Sequence, residues 1–283
     1  MSTSTSTKVV SSRLTGWFFI LFALTVIGIW LSYTPDGVQG KADAVGYAIC
    51  HRIEERSFTT YGDRQLPMCA RCSGIYTGVM VGFISIAAVG RLRASRLPTL
   101  KVGMVMLLFL IVFGVDGLNS YFHLFPNFEG GLYEPNNTLR VSTGFFVGLS
   151  MIHGLLPFWN ASVWHPKVLD LRRAVNNLRE FAMYIGVAII VLLLILLNSP
   201  FIMLIVGFMS TIGVLLVLTL AMSSMFMNIL RLDGSYTHWS QLWLPMLVGL
   251  TAAIILIGGI DALRYALTGT WEGFTFVTQA GGT

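Results

Sequence analysis

Seven long apolar runs divide this chain of 283 residues, and they constrain its fold more than any other feature. They cover residues 17–33, 73–90, 102–115, 141–159, 181–197, 201–230 and 242–263. A membrane-spanning helix needs about 20 mainly apolar residues, and in lipid only helices or closed barrels satisfy every backbone polar group. The sequence therefore predicts an all-α fold: a polytopic transmembrane helical bundle of about seven helices.

The charged residues agree with a membrane location and exclude nucleic acid as a partner. Only 11% of residues are charged, and the basic ones lie in short loops between apolar runs rather than on one soluble face. Eleven of the 18 Lys and Arg residues fall on the side of the N-terminus and seven on the other. The positive-inside rule then predicts an N-in/C-out protein of the prokaryotic cytoplasmic (inner) membrane, with the lipid bilayer as its surroundings.

Composition also suggests a division of the chain. We expect a disordered N-terminus at 1–16 and a four-helix membrane core at 17–159 that carries an outer polar site. A cytoplasmic basic linker at 160–179 separates it from a three-helix membrane extension at 180–268. Residues 269–283 are predicted to form an outer C-terminal tail.

All three cysteines lie in or beside one polar stretch between the first and second apolar runs. Pro67 is expected to occupy the first turn of the second helix, where its missing N–H costs nothing. Cys69 and Cys72 would then share one face of that helix in its first turns. A helix N-terminus and the neighbouring Arg71 both favour the thiolate form.

This pattern predicts a metal site made by Cys50, His51, Cys69 and Cys72, with zinc as the candidate cofactor. A Cys-x2-Cys pair is half of a usual zinc site, and the other two residues complete four ligands. Adjacent residues on a helix point about 100° apart, so Cys50 and His51 can share an ion only in a non-helical turn. His123 is therefore kept as an alternative fourth ligand.

Two other interpretations of the cysteines stay open at this point. Cys69 and Cys72 can form a disulfide or redox pair, or all three thiols can lie free at a tight helix contact. The odd number of cysteines speaks against a structural disulfide framework, whereas an extracytoplasmic position favours oxidation.

Polar residues at helix ends converge on the same outer face and predict a polar site. Its members are Glu55, Arg56, Arg71, Asp116, Asn137 and Arg140. We predict an ion pair between Asp116 and Arg140, because their helices are neighbours joined by an outer loop. Asp261 and Arg264 are three residues apart and are expected to pair along one helical face.

Glycines spaced by four predict which helices touch. The second helix carries Gly74, Gly78 and Gly82, and the fourth carries Gly144 and Gly148. Small-xxx-small faces allow the backbones of two membrane helices to approach closely, so these two helices are expected to pack together.

Four short motifs resemble those of an uncharacterised family of prokaryotic predicted membrane proteins, a domain of unknown function. They are C-H-R-x-x-E-R-S-F, P-x-C-A-R-C-S-G-I-Y-x-G, D-G-L-N and N-x-x-R-x-x-T-G, within residues 42–156. The resemblance implies ten family positions: Cys50, His51, Glu55, Arg56, Cys69, Arg71, Cys72, Asp116, Asn137 and Arg140. It implies no activity.

Three functions remain in competition, and whether the chain is an enzyme stays open. The first is an accessory or structural membrane subunit whose outer cluster holds a metal or thiol staple, with a larger energy-converting membrane complex as candidate partner. The second is a thiol/disulfide oxidoreductase that uses Cys69 and Cys72 with a membrane quinone, although a second cysteine pair is lacking. The third is a metal-dependent membrane enzyme using Glu55, Asp116 and Arg140, without an H-E-x-x-H motif.

Overall fold

The structure is a computed structural model, and it describes residues 13–125 and 130–272. Eight α-helices lie in this part of the chain: α1 Arg13–Tyr33, α2 Gly37–Ile49, α3 Ala70–Ala88, α4 Leu100–Phe122, α5 Asn137–Val163, α6 Leu178–Leu196, α7 Pro200–Ile229 and α8 Trp243–Thr268. Two short strands, β1 Ala94–Arg96 and β2 Asp170–Arg173, pair in parallel.

Seven of these helices, α1 and α3 to α8, are long and apolar enough to cross a membrane. The predicted polytopic helical bundle is therefore confirmed. The spans of α3 and α5 are more than half buried, whereas those of α1 and α4 are mostly exposed. We conclude that α3 and α5 form the centre of the bundle, and that α1 and α4 lie at its periphery against lipid.

Helices α3 and α5 meet through their glycines. Where a Cβ would stand, four glycines have a carbonyl oxygen of the facing helix: Gly74 and Gly78 on α3, Gly144 and Gly148 on α5. Gly82, further along α3, faces the side chain of Ile152 instead. Only glycine permits this approach, so the two backbones are in direct contact over several turns.

Helix α2 is absent from the sequence prediction because it is too short and too polar to span a bilayer. It follows the first membrane helix and buries Ala44, Val45 and Tyr47. Gly46 lies against the carbonyl group of Pro67, so α2 packs directly on the segment that leads into α3. This contact places the end of α2 beside the beginning of α3.

The end of the bundle opposite to α2 holds most of the loop arginines. Arg91 forms an ion pair with Glu180, and the Arg93 guanidinium lies 3.9 Å from the centre of the Trp164 ring. The Asn160 amide donates to the carbonyl of Ala94 at 2.9 Å. Residues 160–179, predicted as a linker, therefore include the end of α5 and the strand β2 and pack on the bundle.

Contacts also cross the predicted boundary between membrane core and membrane extension. Gly207 on α7 lies against Pro67, and Gly213 lies against the backbone of Tyr76 on α3. The division into domains stays a prediction, and these contacts join its two parts. The expected disordered N-terminus lies outside the described residues up to residue 12, and the expected tail lies outside them from residue 273.

Candidate metal centre

The ends of α2 and α3 bring the three cysteines together. Cys50 caps the C-terminus of α2 in an extended conformation, and Arg52 then takes a positive φ of 51° that redirects the chain. Cys50 and His51 thus lie in a non-helical turn, which is the condition for adjacent residues to share an ion. Cys69 is the N-cap of α3, and Cys72 lies in its first turn.

One detail of the sequence prediction is corrected here. Pro67 was expected in the first helical turn, but α3 begins at Ala70 and Pro67 precedes its N-cap. The proline carbonyl instead packs on Gly46 of α2. Cys69 is consequently held at the helix boundary as the N-cap of α3, without a side-chain capping hydrogen bond.

The ligand atoms of Cys50, His51 and Cys69 all lie within 4.8 Å of one another. Cys72 is not one of these three ligand atoms, but its side chain packs against the group of buried residues that contains Cys50 and Cys69, so it stays the candidate fourth ligand. Cys50 and Cys69 are each 3% exposed, while His51 is partly exposed. Sulfurs bound to one zinc at about 2.3 Å stand roughly 3.8 Å apart, a separation that lies within this limit.

The surroundings of the thiols favour the thiolate form of Cys69 over that of Cys50. The backbone N–H groups of Cys69 and Arg52 donate to Cys50 Sγ at 3.3 and 3.4 Å. The pKa of Cys69 is lowered well below its usual value, chiefly by the Cys50 thiol and then by the Cys72 thiol, although burial acts in the opposite direction. The pKa of Cys50 is raised to about 12, first because its proton is held by Cys69.

Only one of the two candidate histidines, His51, lies in the cluster. Burial lowers the pKa of His51, which favours the neutral imidazole that binds metals. The alternative ligand, His123, lies elsewhere: its Nδ1 is 2.8 Å from the carbonyl oxygen of Asn119, and it is not a member of the cluster.

Arg264 on α8 holds the cysteine turn in place. Its guanidinium donates to the carbonyl oxygens of Tyr47, Cys50 and His51, the latter two at 2.6 and 3.3 Å. The predicted pair with Asp261 is wrong, because that carboxylate accepts from the indole of Trp30 at 3.1 Å instead. Three carbonyls that converge at the end of α2 attract the guanidinium away from its neighbour on the helix.

Asp116 is 1% exposed and has a full set of partners. It forms an ion pair with Arg71, and its other oxygen accepts from the Tyr133 hydroxyl at 3.0 Å. The Thr143 hydroxyl donates at 3.3 Å to the oxygen that pairs with Arg71. The predicted pair with Arg140 is therefore wrong, since the carboxylate pairs with Arg71 on the central helix α3 instead.

The remaining polar residues connect the cysteine loop to α5. Arg140 donates to the Asn137 side chain at 2.9 Å, and the Asn137 amide donates to the carbonyl oxygen of Glu55 at 3.2 Å. Arg56 donates to the carbonyl oxygen of Ser120 at 3.1 Å. The Glu55 side chain is exposed and forms no ion pair with a described residue.

Comparison with known proteins connects this site to a family. Residues 50–153 match the family model described as a predicted membrane protein, DUF2085. An uncharacterised protein of Methanocaldococcus jannaschii is 35% identical over 116 residues, which are 41% of this chain and 67% of the relative. Another, from Methanothermobacter thermautotrophicus, is 33% identical over 103 residues, 36% of this chain and 80% of the relative.

The chain belongs to the DUF2085 family. The matched DUF2085 segment begins at Cys50 and contains all four candidate metal ligands. It also contains Asp116 and Arg140. The names of the DUF2085 relatives assign no function. No solved structure matches the chain.

Sequence reasoning missed several residues of the DUF2085 site. Tyr133 gave no signal, because a tyrosine in a polar loop is unremarkable. Arg52 is 8% exposed and pairs with Asp43, a contact that the sequence alone does not predict. Arg264, outside the matched segment, was assigned to the wrong partner.

The Arg71–Asp116 pair gives the first prediction. Arg71→Ala leaves a buried carboxylate uncompensated, so we expect the free energy of unfolding to fall by about 3–5 kcal/mol. The matched control is Arg172→Ala, which breaks a pair whose arginine side chain is 60% exposed, and no measurable change is expected. Thermal unfolding in detergent measures both; equal melting temperatures for the two variants would contradict the role given to Arg71.

Proposed function

We propose that this protein is an integral membrane protein whose cysteine–histidine cluster binds a divalent metal ion, with zinc as the candidate. The observation that carries the proposal is the convergence of Cys50, His51 and Cys69 within 4.8 Å, with the Cys72 thiol beside them. Zinc takes thiolate and imidazole ligands in a tetrahedral arrangement and accepts a Cys3His set. When bound, the ion would cross-link the end of α2 to the beginning of α3.

The donor set favours a structural role for the ion. Four protein ligands close a tetrahedral zinc site, whereas a catalytic zinc site keeps one position for water or substrate. Cys50 and Cys69 are almost fully buried, and Glu55, the nearest glutamate named for catalysis, points to solvent. The protein would then act as an accessory or structural subunit, and a larger membrane complex stays its candidate partner.

A second candidate function is thiol/disulfide exchange by Cys69 and Cys72. Cys69 stands at the N-terminus of α3, and its pKa is lowered well below the usual value, chiefly by the neighbouring Cys50 and Cys72 thiols, which favours a reactive thiolate. Oxidation of the pair would release two electrons and two protons, which a membrane quinone would take up as quinol. The burial of Cys69 weighs against this function, because thiol exchange needs access for the incoming sulfur.

Metal analysis of the purified protein separates the two candidates. For the metal site we expect one tightly held zinc per chain and thiols that a thiol reagent modifies only after a chelator has removed the ion. Chelation should also lower the melting temperature, because the binding free energy of a structural zinc contributes to folding. A metal-free protein with reactive thiols that are oxidised by a quinone would instead support thiol exchange and reject the metal site.

A further inference from the structure

The outer polar site contains more arginines than carboxylates. Arg56 and Arg71 converge on Ser120: the former donates to its carbonyl oxygen and the latter to its hydroxyl, both at 3.1 Å. Asp116 neutralises Arg71. Within the described residues, no carboxylate lies at ion-pair distance from Arg56 or Arg140.

The excess of arginines over carboxylates is energetically costly at Arg140, because this side chain is buried. It is 7% exposed, and among the described residues its side chain bonds the neutral amide of Asn137, while its Nε has no hydrogen-bond partner there. A buried cation is expensive unless an anion compensates it. The Arg140 guanidinium is therefore held beside Asn137 with part of its hydrogen-bonding capacity unused.

A chain of hydrogen bonds connects Arg140 to the residue that precedes Arg56. Asn137 accepts from Arg140 and donates to the carbonyl of Glu55, the residue that precedes Arg56. Burial lowers the pKa of Arg56 from its usual value, and the charge of Arg71 lowers it further. The effect of Arg71 shows that the two cations lie close together, while Cys69 and Glu55 act in the opposite direction.

We propose that Arg56 and Arg140, with Asn137 between them, bind a phosphate group at this end of the bundle. Guanidinium groups recognise phosphate through paired, charge-assisted hydrogen bonds. Arg140 and Asn137 also lie in the first turn of α5, where the helix dipole favours an anion. The phosphate can belong to an anionic lipid headgroup or to a free phosphate compound, since the recognised chemistry is the same.

The phosphate site uses none of the four candidate metal ligands, so it does not rest on the metal proposal. Measuring the metal content of every variant in parallel keeps the two apart. A variant that loses phosphate binding but keeps its metal content reports on the phosphate site alone.

The experiment compares Arg56→Gln and Arg140→Gln with wild type and with Arg64→Gln. Arg64 is a matched control because it lies in the same loop but pairs with Asp43 and is largely exposed. Each protein in neutral detergent is titrated with sodium phosphate, with sodium chloride at equal ionic strength, and with a short-chain phosphatidylglycerol. Thermal stability and calorimetry report binding.

We expect phosphate-bearing probes to stabilise the wild type and Arg64→Gln, and to bind Arg56→Gln and Arg140→Gln at least about tenfold more weakly. Binding of the lipid alone identifies a headgroup site, and binding of both probes extends the site to free phosphate compounds. Arg56 is half-buried in a loop, so Arg56→Gln decides the matter if Arg140→Gln does not fold. The proposal is overturned if neither probe binds the wild type, or if Arg56→Gln binds as tightly as Arg64→Gln.

Discussion

Each of the changes Cys50→Ser, Cys69→Ser and Cys72→Ser is expected to release the metal ion from the purified protein. Loss of one thiolate removes a coordinate bond and opens the proposed site to water, so we expect zinc to bind at least about 100-fold more weakly, a change of about 2.7 kcal/mol. A serine hydroxyl is a poor substitute for a thiolate as a zinc ligand. Metal content and melting temperature should fall together in all three variants.

The double mutants test whether the cysteines act as one site. Residues that hold one ion are non-additive, so a second Cys→Ser change should add little to the first. Independent, additive losses in a metal-free wild type would reject the metal site. An unaffected Cys50→Ser variant beside two inactive ones would instead favour a redox pair of Cys69 and Cys72.

A histidine pair supplies the matched control for the same experiment. His51→Gln should lose the ion, because its ring lies within 4.8 Å of two cysteine sulfurs. His123→Gln should keep it, because that ring contacts the carbonyl of Asn119 outside the cluster. The reverse result would return His123 to the ligand set and exclude His51.

Gly148→Ala is expected to disrupt the centre of the bundle. A Cβ at this position would overlap the carbonyl group of Ile75 on α3, and backbone atoms of two packed helices cannot move aside cheaply. Overpacking a tight core commonly costs about 1–3 kcal/mol and sometimes more, and we expect the upper end of that range or beyond. Helices α3 and α5 would separate or the protein would fail to assemble.

The control for Gly148 lies on the same helix. No heavy atom lies within 4 Å of a Cβ built at Gly154, so Gly154→Ala should be neutral or stabilising by up to about 1 kcal/mol. Unfolding of both variants in detergent gives the comparison. If Gly148→Ala is as stable as Gly154→Ala, direct backbone contact between α3 and α5 is not what orders the bundle.

The membrane helices were predictable because apolar length alone defines them. Their ends were not, because polar residues at a helix end are tolerated once they find partners. Helix α4 continues past the apolar run to Phe122, since Asp116 and Asn119 within it are satisfied by Arg71 and by the loop residue Tyr133. Helix α2 carries no such apolar signal.

The site was predictable in composition but not in pairing. Motif spacing placed Cys69 and Cys72 at a helix beginning, whereas the positive φ at Arg52, which redirects the chain after His51, has no local sequence signal. Which arginine reaches Asp116 depends on how α3 is rotated against α4, which only the packed structure determines. Ion pairs between helices depend on how the helices pack in three dimensions. Adjacency in sequence therefore predicted the wrong partner for Asp116.

The hydrogen bonds from Arg264 to the cysteine turn have a consequence for biosynthesis. Cys50 and Arg264 are 214 residues apart, and translation at about 5–20 residues per second separates their synthesis by roughly 10–40 s. During that interval the turn and the start of α3 can already meet, while the carbonyls that the guanidinium will cover are still open. The last helix thus covers the turn only after Cys50, His51 and Cys69 have been made, and if the cluster binds an ion as proposed, the ion could enter before that helix is in place.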